Sequence, residues 1–213
     1  MLAGDEGIWE QLMTQFYPLE MSHNNSGCES VCPNTLSNKR EETILLSIGD
    51  VLHEYRKERG LTQEQFSEKV LLDRSSIAKV EKGTRAAPKG LAMQAAVAFD
   101  EPRLYLAAQE EVTGGAISPW LDNVDLHRAS VLFKTVEEMK EVLELTSEAP
   151  ISKTADQLTE ADRQVMKRLL METVEAITAL THFAAVLCKE YSFSWFATWK
   201  EHRADLKAKK YMK

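Results

Sequence analysis

Residues 48–88 read IGDVLHEYRKERGLTQEQFSEKVLLDRSSIAKVEKGTRAAP, and the spacing of their apolar side chains decides the fold. Ile48, Leu52 and Tyr55 share one helical face, and Gly60 supplies a C-terminal cap. Thr62 then caps a second helix, Gln63 to Val70, because its hydroxyl can take an unpaired amide of the first turn. Leu71, Leu72 and Asp73 separate that helix from a third, Arg74 to Lys82, with Leu72 or Asp73 ahead of its first turn and Gly83 ending it. Two short helices with so brief a joint form a helix-turn-helix by spacing alone. Phe66, Val70, Ile77 and Val80 fall in the angle between them, and the small Ser67 lets the helices approach. Arg74, Ser75, Ala78 and Lys79 are left on the outer face of the third helix. Pro88 suits the first turn of a fourth helix running to Phe99. Asp100 and Pro102 restart the chain into a fifth, and strand signals are absent through this region.

This combination resembles the Xre/Cro phage-repressor family. The matching residues are RKERGLTQEQFSEKV from Arg56, RSSIAKVEKG from Arg74, and the later Pro88. The resemblance implies a lambda-repressor-like domain of five helices that binds double-stranded DNA. It places Arg74 and Ser75 against base edges in the major groove, with Lys79 one turn on. It gives Gln63 a phosphate contact at a helix N-terminus, and Ser76 either a phosphate contact or the capping of its own helix. Lys82, Arg85 and Lys89 would lie along the flanking sugar–phosphate backbone. Arg56 and Glu81 match a pair that, in the family, bridges the first and third helices. One position departs from the pattern: Leu71 stands where the family usually has Gly. A left-handed residue with a side chain costs ~1–2 kcal/mol, so this turn is either strained or differently shaped.

Around this stretch the chain has 213 residues, 44 % hydrophobic and 28 % charged, enough to bury a core. Residues 1–45 read as an appendage and linker: Ile8, Leu12 and Phe16 suggest a short amphipathic helix, and Met21 to Lys39 is rich in Ser, Asn, Cys and Pro. Met21 is also a candidate alternative start. Residues 46–112 hold the helix-turn-helix domain, and the Gly114–Gly115 pair marks a break. Residues 119–213 form a second helical unit. It has a helix from Leu126 to about Leu145, a long one from Glu160 to about Glu190 capped by Thr159 and Asp162, and a last one capped by Ser194. This second unit also resembles the helical regions that follow such domains in prophage-type regulators of Gram-positive bacteria, which implies a dimerisation or regulatory role. The fold class is therefore all-α.

The net charge is −7, which by itself argues against a nucleic-acid partner, but its distribution does not. Arg74 to Lys89 holds five basic residues and one acid, and Lys200 to Lys213 holds six and two. No uninterrupted apolar run approaches a bilayer span, the N-terminus lacks a basic leader, and three Cys make no disulfide framework. A cytoplasmic, nucleoid-associated protein without membrane contact is expected.

Nothing in the sequence supports catalysis. His53, His127, His182 and His202 stand at no recognisable catalytic spacing from a Ser, Cys or carboxylate, and no phosphate-binding Gly-rich loop is present. His23, Cys28 and Cys32 lack a fourth ligand for zinc, and Glu137, Glu138, Glu141 and Glu144 read as a solvated helix face, so neither metal nor cofactor is expected. Tyr191, Phe193, Trp195, Phe196 and Trp199 read as rings buried between helices, and Cys188 as a small buried apolar residue. The resulting expectation is a sequence-specific DNA-binding regulator, a repressor, acting as a homodimer through its C-terminal helices. Two other readings share the pattern: an antitoxin that neutralises a toxin protein, and an interaction adaptor whose helix-turn-helix is only scaffold. The effector, whether protein or small molecule, is left open.

Overall fold

Most helices start where a polar side chain can take the free amides of a first turn. The computed structural model describes residues 47–213, whose regular elements are all helices, with no strand among them. Ser47 caps α1 (Ile48–Glu58) and Thr62 caps α2 (Gln63–Val70), where Gln65 returns a bond to the Thr62 amide and completes a capping box. Asp73 caps α3 (Arg74–Glu81). Pro at the first position opens α5 (Pro102–Thr113). His127 accepts from the Ala129 amide at the head of α6 (Arg128–Glu148). Thr159 and Asp162 form a second capping box at α7 (Glu160–Tyr191), and Ser194 caps α8 (Trp195–Ala208). The fourth helix is shorter than expected: α4 spans Leu91–Phe99. Gly90 has φ +80°, a left-handed value that stops the helix from reaching back to Pro88, whose carbonyl instead accepts from the Leu91 amide in a turn.

Helices α1 to α5 wrap one core. Phe66, Leu52, Ile77, Val70, Leu91 and Leu104 are fully buried, and Phe66 stacks on Phe99 with ring centres 5.3 Å apart. Burying each such side chain stabilises the fold by ~1.5–3 kcal/mol. At Gly49 α1 presses on α3: an added Cβ would lie 2.3 Å from the Val80 carbonyl oxygen, so no larger residue fits. Helices α6 and α7 then run side by side in opposite directions. Arg128 bonds Glu190 near one end, and Thr135 reaches the Ala179 carbonyl further along.

The chain breaks after Gly115, but the core does not divide there. Ala185 and Cys188 of α7 and Trp195 of α8 belong to the same buried cluster as Leu52 and Leu104, and Trp120 packs against it. The Phe196 amide donates to Asp100 Oδ1 at 2.9 Å, and Arg103, buried, bonds Glu54, Glu58 and Asp122. The described helices thus form a single compact unit.

Three expectations change at this level. Of the aromatic cluster, Trp195 is buried, but Tyr191, Phe193, Phe196 and Trp199 are about half exposed or more. Only Trp195 of these rings reaches the buried cluster; Tyr191 ends α7, Phe193 lies in the joint, and Phe196 and Trp199 stand on the part of α8 that nothing covers. Glu138 leaves the expected solvated face: it is 4 % exposed, because it points between α6 and α7. One window of α7 is long and apolar enough to cross a membrane by length and composition. Counting uninterrupted apolar runs misses it, since Thr178, Thr181 and His182 punctuate the stretch. Here that helix lies along α6 and supplies buried residues to the core. Cys188 is buried, and burial pushes its thiol pKa up. The readings placed on residues 1–45, including the Ile8 helix and the His23, Cys28 and Cys32 group, fall outside the described residues.

Candidate nucleic-acid interface

The geometry of α3 is fixed from both ends. At its start, Asp73 accepts from the Ser76 amide at 2.9 Å and from the Ser75 hydroxyl at 2.6 Å. Those bonds, the Ser75 hydroxyl foremost, hold the Asp73 carboxyl well below the usual carboxylate range. The turn before it keeps the left-handed shape: Leu71 has φ 52° and ψ 37°, and its amide donates to the Ser67 carbonyl. The turn is therefore strained rather than reshaped, and the Leu71 side chain stands 92 % exposed.

At its end, α3 is held by Glu81. Arg56 of α1 grips this carboxylate with two bonds, Nε to Oε1 at 2.6 Å and Nη2 to Oε2 at 2.8 Å. The third guanidinium nitrogen donates to the Leu61 carbonyl at 2.8 Å. Gln63 Nε2 donates to Glu81 Oε2 at 2.8 Å, and His53 Nδ1 lies 3.2 Å away. Burial alone would raise the Glu81 pKa, but the bonds from Arg56, Gln63 and His53 outweigh it and bring it down to about 2. One carboxylate therefore ties α1, α2 and α3 together, and both of its oxygens are satisfied.

Arg74, Ser75 and Lys79 all lie on the exposed face of α3, and Lys82, Arg85 and Lys89 are exposed beside it. Arg74 stands 3.8 Å from the equally exposed Glu64, a loose surface pair. The chain after α3 folds back on that helix: the Thr84 and Arg85 amides both donate to the Lys79 carbonyl. This return brings Arg85 Nη1 within 2.9 Å of Ser76 Oγ. Ser76 is not the helix cap, which is Asp73; it is 5 % exposed, and its hydroxyl is spent on bracing Arg85. Gln63 is half-buried and spends one amide hydrogen on Glu81, which leaves its second hydrogen and the helix N-terminus for an anion. Ser75 gives its hydroxyl hydrogen to Asp73 and keeps only acceptor capacity.

The sequence reading missed the parts of Gln63 and His53 in the Glu81 network. His53 stands three residues before Arg56 on the same helical face, which is the one signal that points to it. It also missed Gly49, whose significance lies in a contact with α3 made across the domain.

Comparison with known proteins gives one match. Residues 52–106 fit the model of the helix-turn-helix family HTH_3, about a quarter of the chain, and that segment holds α2, α3, α4, most of α1 and the start of α5. No curated protein and no solved structure matches the chain.

Proposed function

Since residues 52–106 form an Xre/lambda-repressor-like helix-turn-helix domain of a DNA-binding regulatory kind, we propose that the protein represses transcription by occupying an operator as a homodimer. The observation that carries this reading is the outer face of α3, where Arg74, Ser75 and Lys79 are exposed while the helix behind them is clamped by buried bonds. Arg74 holds guanine O6 and N7, and Lys79 reaches the same kind of acceptor one turn on. Ser75, an acceptor only, takes an amino hydrogen from adenine or cytosine. Arg85, braced by Ser76, and Lys82 and Lys89 meet phosphates, as does the helix end at Gln63. The protein acts where the DNA is, at the bacterial nucleoid.

One such domain reads a half-site of a few base pairs, so affinity and specificity call for two domains about one helical turn apart. Exposed apolar residues on α6 and α7 supply a surface for the pairing, treated below at the scale of elements.

The test is binding to sites recovered by mapping the protein across its genome, compared with scrambled DNA. Arg74→Ala and Lys79→Ala each lose ~1–3 kcal/mol at particular base pairs and relax specificity there. Arg85→Ala weakens all sequences alike and lowers the salt slope by about one. Equal losses on cognate and scrambled DNA for Arg74→Ala would remove it from base reading.

A further inference from the structure

A cavity of about 310 Å³ lies between α6, α7 and the loop at 121–126. Its walls are mostly apolar, with Leu121, Leu126, Val131, Val174 and Ala179 among them. We propose that it binds a small apolar molecule carrying one cationic amine, with Glu138 as the group that recognises the charge.

Accounting for the polar groups points to that ligand. His182 lines the cavity, but both ring nitrogens are taken: Nε2 accepts from the Leu121 amide at 3.0 Å, and Nδ1 donates to the Thr178 carbonyl at 2.8 Å. Thr135 spends its hydroxyl hydrogen on the Val131 carbonyl. Ser130 donates to Asp125. Lys134 reaches Glu137 and one oxygen of Glu138, at 2.8 and 2.6 Å. The second oxygen, Glu138 Oε2, is buried and has no donor.

A buried carboxylate oxygen without a partner is costly. A water donating to that oxygen leaves the charge around it unbalanced. The lining carries three carboxylates, Asp125, Glu138 and Glu175, against the single ammonium of Lys134. An amine satisfies the free oxygen and the excess negative charge, while an apolar body fills the walls.

The site is also placed to be felt elsewhere. The loop that forms one wall holds Asp122, which bonds Arg103 of α5 at 2.8 Å, and follows Trp120, which packs on the helix-turn-helix core. Use of the site to regulate operator binding rests on the function proposed above; occupancy of the site does not.

A rival ligand is a divalent metal. Glu138, Glu172 and Glu175 bring carboxylate oxygens within 4.8 Å of one another. The cavity walls favour the organic cation.

The experiment is calorimetric titration of the full chain, without DNA, with phenethylamine, phenethyl alcohol, phenylacetate and manganese(II). The amine is expected to bind about tenfold more tightly than the alcohol, and phenylacetate not to bind. Glu138→Gln is expected to erase the preference for amine over alcohol. Val124→Trp, which fills the mouth from an exposed loop position, is expected to abolish binding of both and serves if the Glu138 variant does not fold. Equal binding of the three organic probes, no binding of any, amine affinity unchanged by either variant, or manganese binding that Glu138→Gln removes while phenethylamine gives no heat would each overturn the proposal. No DNA is present, so failure of the operator reading leaves the result untouched.

Discussion

Leu71 and Glu81 set the angle of α3 from opposite directions, one at a cost and one with a gain. Leu71 holds a left-handed backbone with an exposed apolar side chain. Replacing it with Gly removes ~1–2 kcal/mol of steric strain, and the freedom that Gly adds to the unfolded chain takes back ~0.5–1 kcal/mol. Leu71→Gly is therefore expected to stabilise the protein by roughly 0.5–1 kcal/mol in urea unfolding; a loss would mean that the leucine makes a favourable contact in solution. Glu81→Gln leaves the buried Arg56 guanidinium without its counter-charge and should cost ~3–5 kcal/mol. Glu81 has a folded pKa near 2, below its ordinary value of 4.5. Its stabilisation is thus complete above about pH 4.5 and is lost as pH falls toward 2. Acid unfolding followed by circular dichroism should lose part of its slope in that window in Glu81→Gln.

At the scale of elements, α6 and α7 make a hairpin with more apolar surface than one hairpin can bury. Leu132, Val136, Met139 and Leu143 follow one another at four-, three- and four-residue steps on α6, which is the spacing of a helix-packing seam. All but the half-buried Val136 are exposed. Leu170, Val174 and Ile177 repeat the four-three step on α7 and are likewise exposed. Two copies of this hairpin can close a four-helix arrangement. Leu143→Glu with Ile177→Glu is expected to convert a dimer to a monomer in light scattering and to weaken operator binding by at least about tenfold, because the two half-sites are no longer linked. A wild-type monomer at micromolar concentration would remove these helices from the interface.

At the scale of the molecule, the helix-turn-helix core and the C-terminal helices share buried residues, so among the described residues they should unfold together. Trp195 is 7 % exposed and meets the core from the far end of the chain. Trp195→Ala is expected to cost ~3–5 kcal/mol and to lower one common melting transition followed by both circular dichroism and tryptophan fluorescence. Two separate transitions would show that the halves fold independently.

What the sequence determined alone was most of what is governed by neighbours a few residues apart. Thr62, Asp73, Thr159 and Ser194 mark helix starts because a cap acts on an amide two or three positions on. Phe66, Val70, Ile77 and Val80 mark the helix-turn-helix because helical period puts them on facing sides. Arg56 and Glu81 were legible only through the family pattern, since nothing local joins residues 25 apart. Tertiary structure alone decided the rest: that Ser76 is buried beside Arg85, that Gln63 is tied to Glu81, that four aromatic rings around the α7–α8 joint stay exposed, and that Glu138 turns inward. Each depends on which face of one helix meets another, and that choice is made by the competition of all apolar surfaces for one core, not by any short run of residues.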